Sequence, residues 1–388
     1  MKFSKDFLNQ NVTSLKPSLI RAISQVQHNA NYSRISLGLG ELTFPMPIKA
    51  QDANISAIKS GKTGYVANAG LEELRVAVAE DFSKKHGVKI NEKNVIITSG
   101  STGGLVTAFE TFIESGDEVL IPEIYYPLFD RIPKLIGAKV IEYKLTENFD
   151  IDTDDLLSKI TSKTKLIALN SPSNPTGQVL SGTTLQKLAD ETKDMPNLFF
   201  LSDETYSTCL YENTEHISIA RYTDRVVVVD GLSKRASMSG KRLGWLIGPE
   251  EIISEAIKVQ QYVYVCAPTD SQYAALPILS GECDEELSEF KNFLNKNRSK
   301  MFEELEKIKG ISFNNPMGAF YCFVDISKFG NSIDVATKLI EKVNVVTVPG
   351  LGFGESGDKY LRLSFAGSEE SIVDGINRMK GVFEKWEN

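Results

Sequence analysis

Between residues 71 and 231, helical segments alternate with short apolar runs, and this alternation is the feature that most constrains the fold. The runs are "NVIITSG", "DEVLIP", "AKVIEY", "TKLIALN", "NLFFLSD" and "RVVVVDG". Each is rich in Val, Ile, Leu or Phe and is apolar on both faces. Strands of this kind need helices on both sides of a parallel sheet. We therefore predict an α/β domain with a mostly parallel sheet covered by helices.

A smaller α+β domain is predicted from the change of pattern after residue 285. A charged helix, "LSEFKNFLNKNRSKMFEELEKI", precedes the strand-like "GAFYCFVDI", "NVVTVPG" and "YLRLSFAG" and a last helix. The length of 388 residues also suits about two domains. Near the start, residues 16–29 have helical spacing behind a proline, and "SRISLGLG" is strand-like. We assign residues 46–284 to the large domain, and 1–45 with 285–388 to the small one.

The ends of the apolar runs are unusually polar. "VIIT" is followed by "SGSTGG", "LIAL" by "NSPSNPTG", "LFFL" by "SDETY" and "VVVV" by "DGLSK". Taken singly, each could be a turn, a helix cap or a solvated charge. Ligands of parallel α/β sheets, however, bind beyond the carboxyl ends of the strands. Together these ends direct toward one edge of the sheet Ser101, Thr102, Asn174, Asp203, Tyr206 and Lys234.

One type of ligand would use this whole set: an aldehyde on a pyridine ring with a phosphate tail. Lys234 would form a Schiff base with the aldehyde, because a buried lysine readily becomes a neutral nucleophile. Asp203 would keep the ring nitrogen protonated, which makes pyridoxal phosphate an electron sink. The phosphate would lie on Ser101 and Thr102 at a helix N-terminus, where Arg242 would add a charged contact.

Residues 232–242, "LSKRASMSGKR", concentrate positive charge between the apolar runs "VVVVDG" and "LGWLIGP". A bound phosphate would explain this charge locally, because it would face Lys234 and Arg242. The remaining members, Arg235 and Lys241, are expected to be solvated.

Composition and spacing argue against several other functions. A formal net charge of −8 offers no basic field for nucleic acid or anionic lipid. No apolar run approaches the roughly 20 residues of a membrane span, and the first residues lack a secretory pattern. The four cysteines lie far apart, and His28, His86 and His216 lack metal-ligand spacing. We expect a cytoplasmic protein without a metal site. "GFGESG" matches a dinucleotide fingerprint, but a strand-like segment follows it instead of a helix.

In combination, "NPTG", "SDETY", "GLSKRASMSGKRLGW" and "YLRLSFA" resemble the class I/II, fold-type I pyridoxal-phosphate-dependent aminotransferases. They fall in the order and spacing of that family, and the resemblance covers nearly the whole chain. It implies transfer of an amino group between an L-amino acid and a 2-oxo acid through a Lys234 Schiff base.

The resemblance also implies roles for individual residues around the cofactor. Lys234 carries the proton from the substrate Cα to the cofactor carbon, while Asp203 pairs with the ring nitrogen. Asn174 and Tyr206 hydrogen-bond the phenolic oxygen, and Tyr126 stacks on the ring.

The same resemblance implies how substrate and partner subunit are engaged. Arg362 grips the substrate α-carboxylate, with the backbone of Gly40 and the Asn174 side chain alongside. Tyr65 of "TGYVANAG" resembles a tyrosine that reaches the phosphate of the neighbouring subunit. A homodimer with shared active sites is therefore implied.

The chain departs from the family pattern at two places and differs from one branch of the family at a third. "GELTF" at residues 40–44 replaces the common "GEPDF". Gly231 stands where many members have a serine, so we count the nearby Ser233 among the cofactor contacts. Thr102 occupies the position at which one related branch has a lysine for a distal carboxylate. A buried distal carboxylate needs a second cation, which the "GELTF" loop or the other subunit could supply in place of that lysine. Because Thr102 offers no charge, we expect a neutral or aromatic donor.

Two other functions are compatible with the sequence. A β-lyase acting on sulfur amino acids shares the fold and the early chemistry, but it would release ammonia and pyruvate without an added oxo acid. A non-enzymatic regulator of this fold would need a basic N-terminal DNA-binding module of about 70 residues. Here the fold is expected to begin almost at once.

Overall fold

The computed structural model describes residues 5–386 except 20–22, 24–25, 27–30, 39 and 41. The helix predicted over residues 16–29 lies mainly outside these described residues. The described strands are β1 (Ile35–Ser36), β2 (Val95–Ser99), β3 (Glu118–Pro122), β4 (Lys139–Tyr143), β5 (Thr164–Asn170), β6 (Phe199–Asp203), β7 (Val226–Gly231), β8 (Leu243–Ile247), β9 (Ser312–Phe313), β10 (Tyr321–Asp325), β11 (Val345–Val346), β12 (Val348–Pro349) and β13 (Tyr360–Ser364).

The described α-helices are α1 (Gln10–Thr13), α2 (Ile48–Lys59), α3 (Glu72–His86), α4 (Gly100–Phe112), α5 (Leu128–Ile136), α6 (Thr153–Ser158), α7 (Gly182–Glu191), α8 (Leu232–Arg235), α9 (Glu250–Val263), α10 (Thr269–Leu279), α11 (Asp284–Leu305), α12 (Ser332–Val343) and α13 (Glu369–Phe383). Within the described part of the chain, no helix is both long and apolar enough to cross a bilayer.

A seven-stranded sheet in the order β2-β8-β7-β6-β5-β3-β4 confirms the predicted, mostly parallel α/β architecture. Strand β8 is antiparallel to both of its neighbours, β2 and β7. The cause is the short connection of residues 232–242 between β7 and β8, since a parallel return needs a crossover of about a dozen residues or more.

Both faces of this sheet are buried, as the apolar runs predict. On β7, Val226 and Val228 belong to one core cluster, which includes residues of α3 and α7. Val227 and Val229 point to the other face and belong to a cluster with residues of α4, α5 and α9. Because successive side chains of a strand alternate between faces, one apolar run supplies both cores.

A second core is built around an antiparallel sheet of order β12-β13-β10-β9 and the parallel pair β1–β11. Helices α11, α12 and α13 contribute buried residues to it, among them Leu294, Leu339 and Ile376. These elements are the charged helix, strands and last helix predicted after residue 285. The domain boundaries at residues 46 and 285 stay predictions.

The polar strand ends meet at one edge of the large sheet. Strands β5, β6 and β7 pair in parallel. Strand β2 runs in the same direction, because it and β7 are both antiparallel to β8. The predicted clustering of strand ends is therefore confirmed.

The segment "GFGESG" forms short 3-10 turns that lead into β13, so it opens no helix.

Strands β7 and β8 and the start of α4 approach closely at two glycines. A Cβ on Gly244 would lie 2.6 Å from the Ser101 nitrogen and 2.8 Å from the Asp230 carbonyl oxygen. A Cβ on Gly231 would lie 2.8 Å from the Gly244 Cα. These obstacles are backbone atoms, so the main chain itself would have to move.

We predict that Gly244→Ala lowers the free energy of unfolding by about 1–3 kcal/mol, because overpacking at backbone contacts cannot be relieved by a rotamer change. The matched control is Gly381→Ala, at an exposed position of α13 where a Cβ would meet nothing within 4 Å. There alanine should stabilise the helix by up to about 1 kcal/mol. Urea unfolding of both variants is the measurement, and wild-type stability of Gly244→Ala would contradict the prediction.

Candidate active site

Lys234 lies on α8, directly beyond the carboxyl end of β7. Its Nζ donates to the carbonyl oxygen of Gly40 at 2.5 Å, and the ring centroid of Phe320 is 5.9 Å from the same nitrogen. Half-buried in this way, the lysine side chain connects a strand end of the large sheet with the segment that follows β1.

Asp203 ends β6 and is 5% exposed. Desolvation raises the pKa of its carboxyl to about 6, although hydrogen bonds from Thr205 oppose the shift. Those bonds come from the Thr205 backbone N–H at 3.1 Å and from its hydroxyl at 2.6 Å, both to Oδ1. A buried carboxyl of this kind is suited to accept a further hydrogen bond from a cationic N–H.

A chain of hydrogen bonds connects Asp203 with Arg362. The Asn170 Nδ2 donates to the Asp203 carbonyl oxygen at 3.1 Å, and the Asn174 backbone N–H donates to Asn170 Oδ1 at 2.8 Å. Arg362 Nη1 then donates to Asn174 Oδ1 at 2.9 Å. The chain therefore brings three predicted site residues, Asp203, Asn174 and Arg362, into one network through Asn170.

Arg362 is a buried cation, 3% exposed, with unused bonding capacity. Its Nη2 donates to the Gly38 carbonyl oxygen at 2.7 Å, whereas its buried Nε has no hydrogen-bond partner. The guanidinium carbon lies 4.2 Å from the ring centroid of Tyr321 and 5.0 Å from that of Phe353. An arginine flanked by two aromatic rings is suited to bind a carboxylate. Sequence reasoning named Gly40 here and missed Gly38.

Tyr321 is a second residue that sequence reasoning missed. Its hydroxyl lies 2.8 Å from the hydroxyl of Tyr206, and both side chains are buried. The strand segment "GAFYCFVDI" contained this tyrosine, but nothing local distinguished it from the core aromatics beside it. Only the pairing of β10 with β13, which carries Arg362, reveals its position.

The N-terminus of α4 and the Arg242 side chain form a cationic corner. The N-cap residue Ser99 makes no side-chain capping bond, so donors of the first turn are available. Arg242 Nη1 donates to the Ser239 carbonyl oxygen at 2.8 Å, and a Cβ on Gly100 would lie 2.5 Å from Nη2. Ser101 is half-buried in the first turn of this helix. The corner is suited to bind an anion.

The remaining residues predicted for phosphate contact differ in exposure. Ser233 is buried on α8, beside Lys234, whereas Thr102 is exposed on α4. Tyr65 follows α2 and is 84% exposed in the single chain.

Tyr126 follows β3 and is half-buried among charges of both signs. Burial raises the pKa of its hydroxyl to about 12, and the carboxylate of Asp203 contributes in the same direction. The cations of Arg362 and Arg242 act in the opposite direction. The Tyr126 hydroxyl is therefore influenced by Asp203, by the buried arginine and by the cationic corner.

Two further basic residues are paired with polar groups of other segments. The expectation that Arg235 is solvated is wrong, because its side chain is only 12% exposed, whereas the Lys241 side chain is 33% exposed. Arg235 Nη1 lies 2.9 Å from a carboxylate oxygen of Asp81. Lys241 Nζ donates to Asn54 Oδ1 at 2.6 Å and lies 3.4 Å from Asp270 Oδ2. Acidic partners distant in sequence thus compensate the part of the basic cluster that does not face the site.

The fold also gathers His86, His216 and Glu204, whose possible ligand atoms all lie within 4.8 Å of one another. Sequence spacing did not reveal this cluster. Glu204 Oε1 accepts hydrogen bonds from the Ser202 and Ser218 hydroxyls at 2.9 and 2.7 Å, and His216 Nε2 is 2.9 Å from Oε2. These protein groups already satisfy the carboxylate that follows Asp203 in the chain. The absence of a metal site stays a prediction.

Comparison with known proteins agrees with this geometry. Residues 33–378 match the family described as aminotransferase class I and II. A probable aspartate aminotransferase of Methanocaldococcus jannaschii is 37% identical over 96% of this chain and 98% of its own. An aromatic-amino-acid aminotransferase of Thermococcus litoralis is 32% identical, covering 97% and 98%.

Solved structures agree as well. An aspartate aminotransferase double mutant of Thermus thermophilus superposes with a TM-score of 0.91 at 30% identity, covering 98% of this chain and 100% of that one. The chain therefore belongs to the class I and II aminotransferases, with the fold-type I architecture, and is a pyridoxal-phosphate-dependent transaminase of amino acids and 2-oxo acids.

Proposed function

We propose that this aminotransferase uses Lys234, Asp203 and Tyr206 as its catalytic residues and prefers a neutral or aromatic L-amino acid as donor. The observation that carries the proposal is the network that joins the main chain of Asp203, whose carboxyl is buried, to the buried cation of Arg362 through Asn170 and Asn174. The carboxyl of Asp203 would pair with the ring nitrogen of the cofactor, and the guanidinium of Arg362 would bind the carboxylate of a substrate joined to that cofactor.

The residues present fit the cofactor. Its phosphate would lie at the α4 N-terminus, where Ser101 and Thr102 would hold it. Arg242 and Ser233 would lie beside it, and the phosphate would neutralise the charge of Arg242. The open capping position of Ser99 supports this assignment.

The ring would lie between these anchors. Asp203, with its raised pKa, would pair with the ring N–H, and the Tyr126 ring would stack on the cofactor. Asn174 and Tyr206 would hydrogen-bond the phenolic oxygen. When bound in this way, the cofactor supplies an electron sink for the charge left at the substrate Cα.

Lys234 has two tasks in this proposal. Its Nζ would hold the cofactor covalently, and when this nitrogen is free it would move the proton at the substrate Cα. The carbonyl oxygen of Gly40, 2.5 Å from Nζ, is placed to accept a hydrogen bond from this nitrogen and so to orient it.

Arg362 would hold the substrate α-carboxylate, with the backbone of Gly40 alongside. Its Nη groups now donate to the oxygens of Asn174 and Gly38, and its Nε has no partner. A carboxylate would supply the missing acceptor and neutralise the buried charge.

A homodimer with shared sites is supported by apolar surface near Tyr65. Helix α2 exposes Ile48, Ile55 and Ile58, which recur at helical spacing on one face, and Tyr262 at the end of α9 is 86% exposed. Exposed apolar side chains gathered in one region are typical of an interface. In the dimer, Tyr65 would reach the phosphate bound by the partner subunit.

The donor preference rests on the cations near the site. Among the described residues, Lys234, Arg242 and Arg362 converge there, and each already has a task. Thr102 offers a hydroxyl, and Arg235 and Lys241 are committed to acidic partners. A distal carboxylate would therefore be buried without a cation, which is costly. The relatives carry both aspartate and aromatic names, so their names leave the donor open.

A cytoplasmic location is the last part of the proposal. It is supported by the four cysteines, Cys209, Cys266, Cys283 and Cys322, which are all free thiols. Free thiols of this kind suit a reducing compartment.

We predict that Asp203→Asn removes a pH-dependent loss of apoenzyme stability. The folded pKa of about 6 lies above the ordinary value of 3.8. The carboxyl therefore stabilises the fold below pH about 4, and this contribution is lost as pH rises through 6. The loss should amount to at most about 3 kcal/mol.

The measurement is unfolding between pH 4 and 7, with and without cofactor. Bound cofactor should reduce the loss in the wild type, because its ring N–H supplies a countercharge, but not in Asp203→Asn. Asp230→Asn is the control, because burial raises the pKa of Asp230 to about 7 and the proposal gives Asp230 no contact with the cofactor ring. Equal cofactor effects in wild type and Asp203→Asn would contradict the assignment.

We predict that mixed dimers of Lys234→Ala and Tyr65→Ala subunits recover up to half of the wild-type activity. Each parent should be folded but severely impaired. In the mixed dimer, one site would combine an intact Lys234 with the intact Tyr65 of the other subunit. Activity of purified, differently tagged mixed dimers is the measurement, with tagged Lys234→Ala homodimers as control. No recovery would contradict the shared site.

We predict that kcat/KM for alanine, leucine, methionine or phenylalanine exceeds that for aspartate, with one 2-oxo acid as common acceptor. Initial rates with each donor are the measurement. A hundredfold advantage of aspartate would mean that another cation lines the pocket. Pyruvate and ammonia released from sulfur amino acids without an acceptor would instead indicate the β-lyase reaction.

A further inference from the structure

We propose that Tyr321 is a positioning residue that couples the carboxylate-binding arginine to the cofactor-binding tyrosine. This inference rests on the proposed function, because it assigns Tyr321 to act through Arg362 and Tyr206. Tyr321 begins β10 and is 1% exposed, so its ring and hydroxyl are held by the surrounding protein.

The ring of Tyr321 supports the guanidinium of Arg362. Register pairs Phe323 with Arg362 and Tyr321 with Ser364, so Tyr321 lies diagonally across from the arginine. The distance of 4.2 Å from guanidinium carbon to ring centroid allows a cation–π contact. In a buried site this contact fixes the plane in which Arg362 presents its nitrogens.

The hydroxyl of Tyr321 meets two other parts of the site. It lies 2.8 Å from the Tyr206 hydroxyl, and a Cβ on Gly40 would be 2.7 Å from it. Gly40 is also the residue whose carbonyl oxygen accepts from Lys234. The Tyr321 hydroxyl therefore lies beside Gly40, which accepts the hydrogen bond from Lys234. It also lies beside the Tyr206 hydroxyl, which is assigned to the cofactor.

The direction of the hydrogen bond between the two hydroxyls determines what it does. The guanidinium carbon of Arg362 lies 4.2 Å from the ring centroid of Tyr321, and a positive charge at this distance makes the Tyr321 hydroxyl the stronger donor. Burial raises the pKa of both phenols, and Arg362 opposes the rise at Tyr321. In this inference Tyr321 therefore donates and Tyr206 accepts. When Tyr321 donates, the Tyr206 hydrogen remains available for the phenolic oxygen of the cofactor.

That hydrogen bond should leave a spectroscopic signature. A hydrogen bond to the phenolic oxygen withdraws negative charge and weakens the hold of the neighbouring lysine-derived nitrogen on its proton. Removing the Tyr321 hydroxyl should weaken the Tyr206 hydrogen bond. The pH midpoint of the visible absorbance of lysine-bound cofactor should therefore rise by about 0.5–1 unit.

The experiment compares Tyr321→Phe and Tyr321→Leu with wild-type holoenzyme. Tyr321→Phe keeps the ring and should move the pH midpoint while leaving KM for the amino donor within about twofold. Tyr321→Leu also removes the cation–π contact and should raise KM about tenfold. The control is Tyr143→Phe, which removes another buried hydroxyl that donates to the Ala168 carbonyl oxygen at 2.8 Å.

The outcomes separate this inference from the function on which it rests. If wild-type enzyme shows no pH-dependent visible absorbance, the assignment of Lys234 fails. If the wild type titrates but Tyr321→Phe has the same midpoint, or Tyr143→Phe shifts equally, the role of the Tyr321 hydroxyl is wrong. A KM increase in Tyr321→Phe equal to that in Tyr321→Leu would overturn the role of the ring.

Discussion

The register between β5 and β6 is the constraint on which the site depends. It pairs Asn170 with Asp203 at the carboxyl ends of both strands. From this pair the hydrogen bonds extend through Asn174 to Arg362, which lies on a strand of the other sheet. A slip of one residue would turn Asp203 to the opposite face of the sheet and break this connection.

Burial gives these groups their chemical character. Desolvation raises the pKa of Asp203, while the guanidinium of Arg362 lies close to the rings of Tyr321 and Phe353. Opposite charges are thus fixed before any ligand arrives, and little reorganisation is needed when one binds. The second carboxylate, Glu204, is satisfied by its own serine and histidine partners, so it does not compete for a ligand of Asp203.

Much of this arrangement could be predicted because its causes are local. Apolar runs buried on both faces predicted the strands, and polar strand ends predicted that Asp203 and Lys234 would lie at one edge. The partners of Arg235 and Lys241 could not be predicted in this way. Asp81 and Asp270 lie far away in sequence, and nothing in "LSKRASMSGKR" indicates that helices α3 and α10 pack against it.

The sequence by itself determined the order of helices and strands, the family and the residues at the strand ends, because periodicity and motif spacing are properties of neighbouring residues. Only the tertiary structure decided that Tyr321 meets Tyr206 and that His86 meets His216. Such contacts join segments more than a hundred residues apart. They depend on how whole elements pack, and a buried aromatic ring or histidine has the same local pattern whether it fills a core or lines a site.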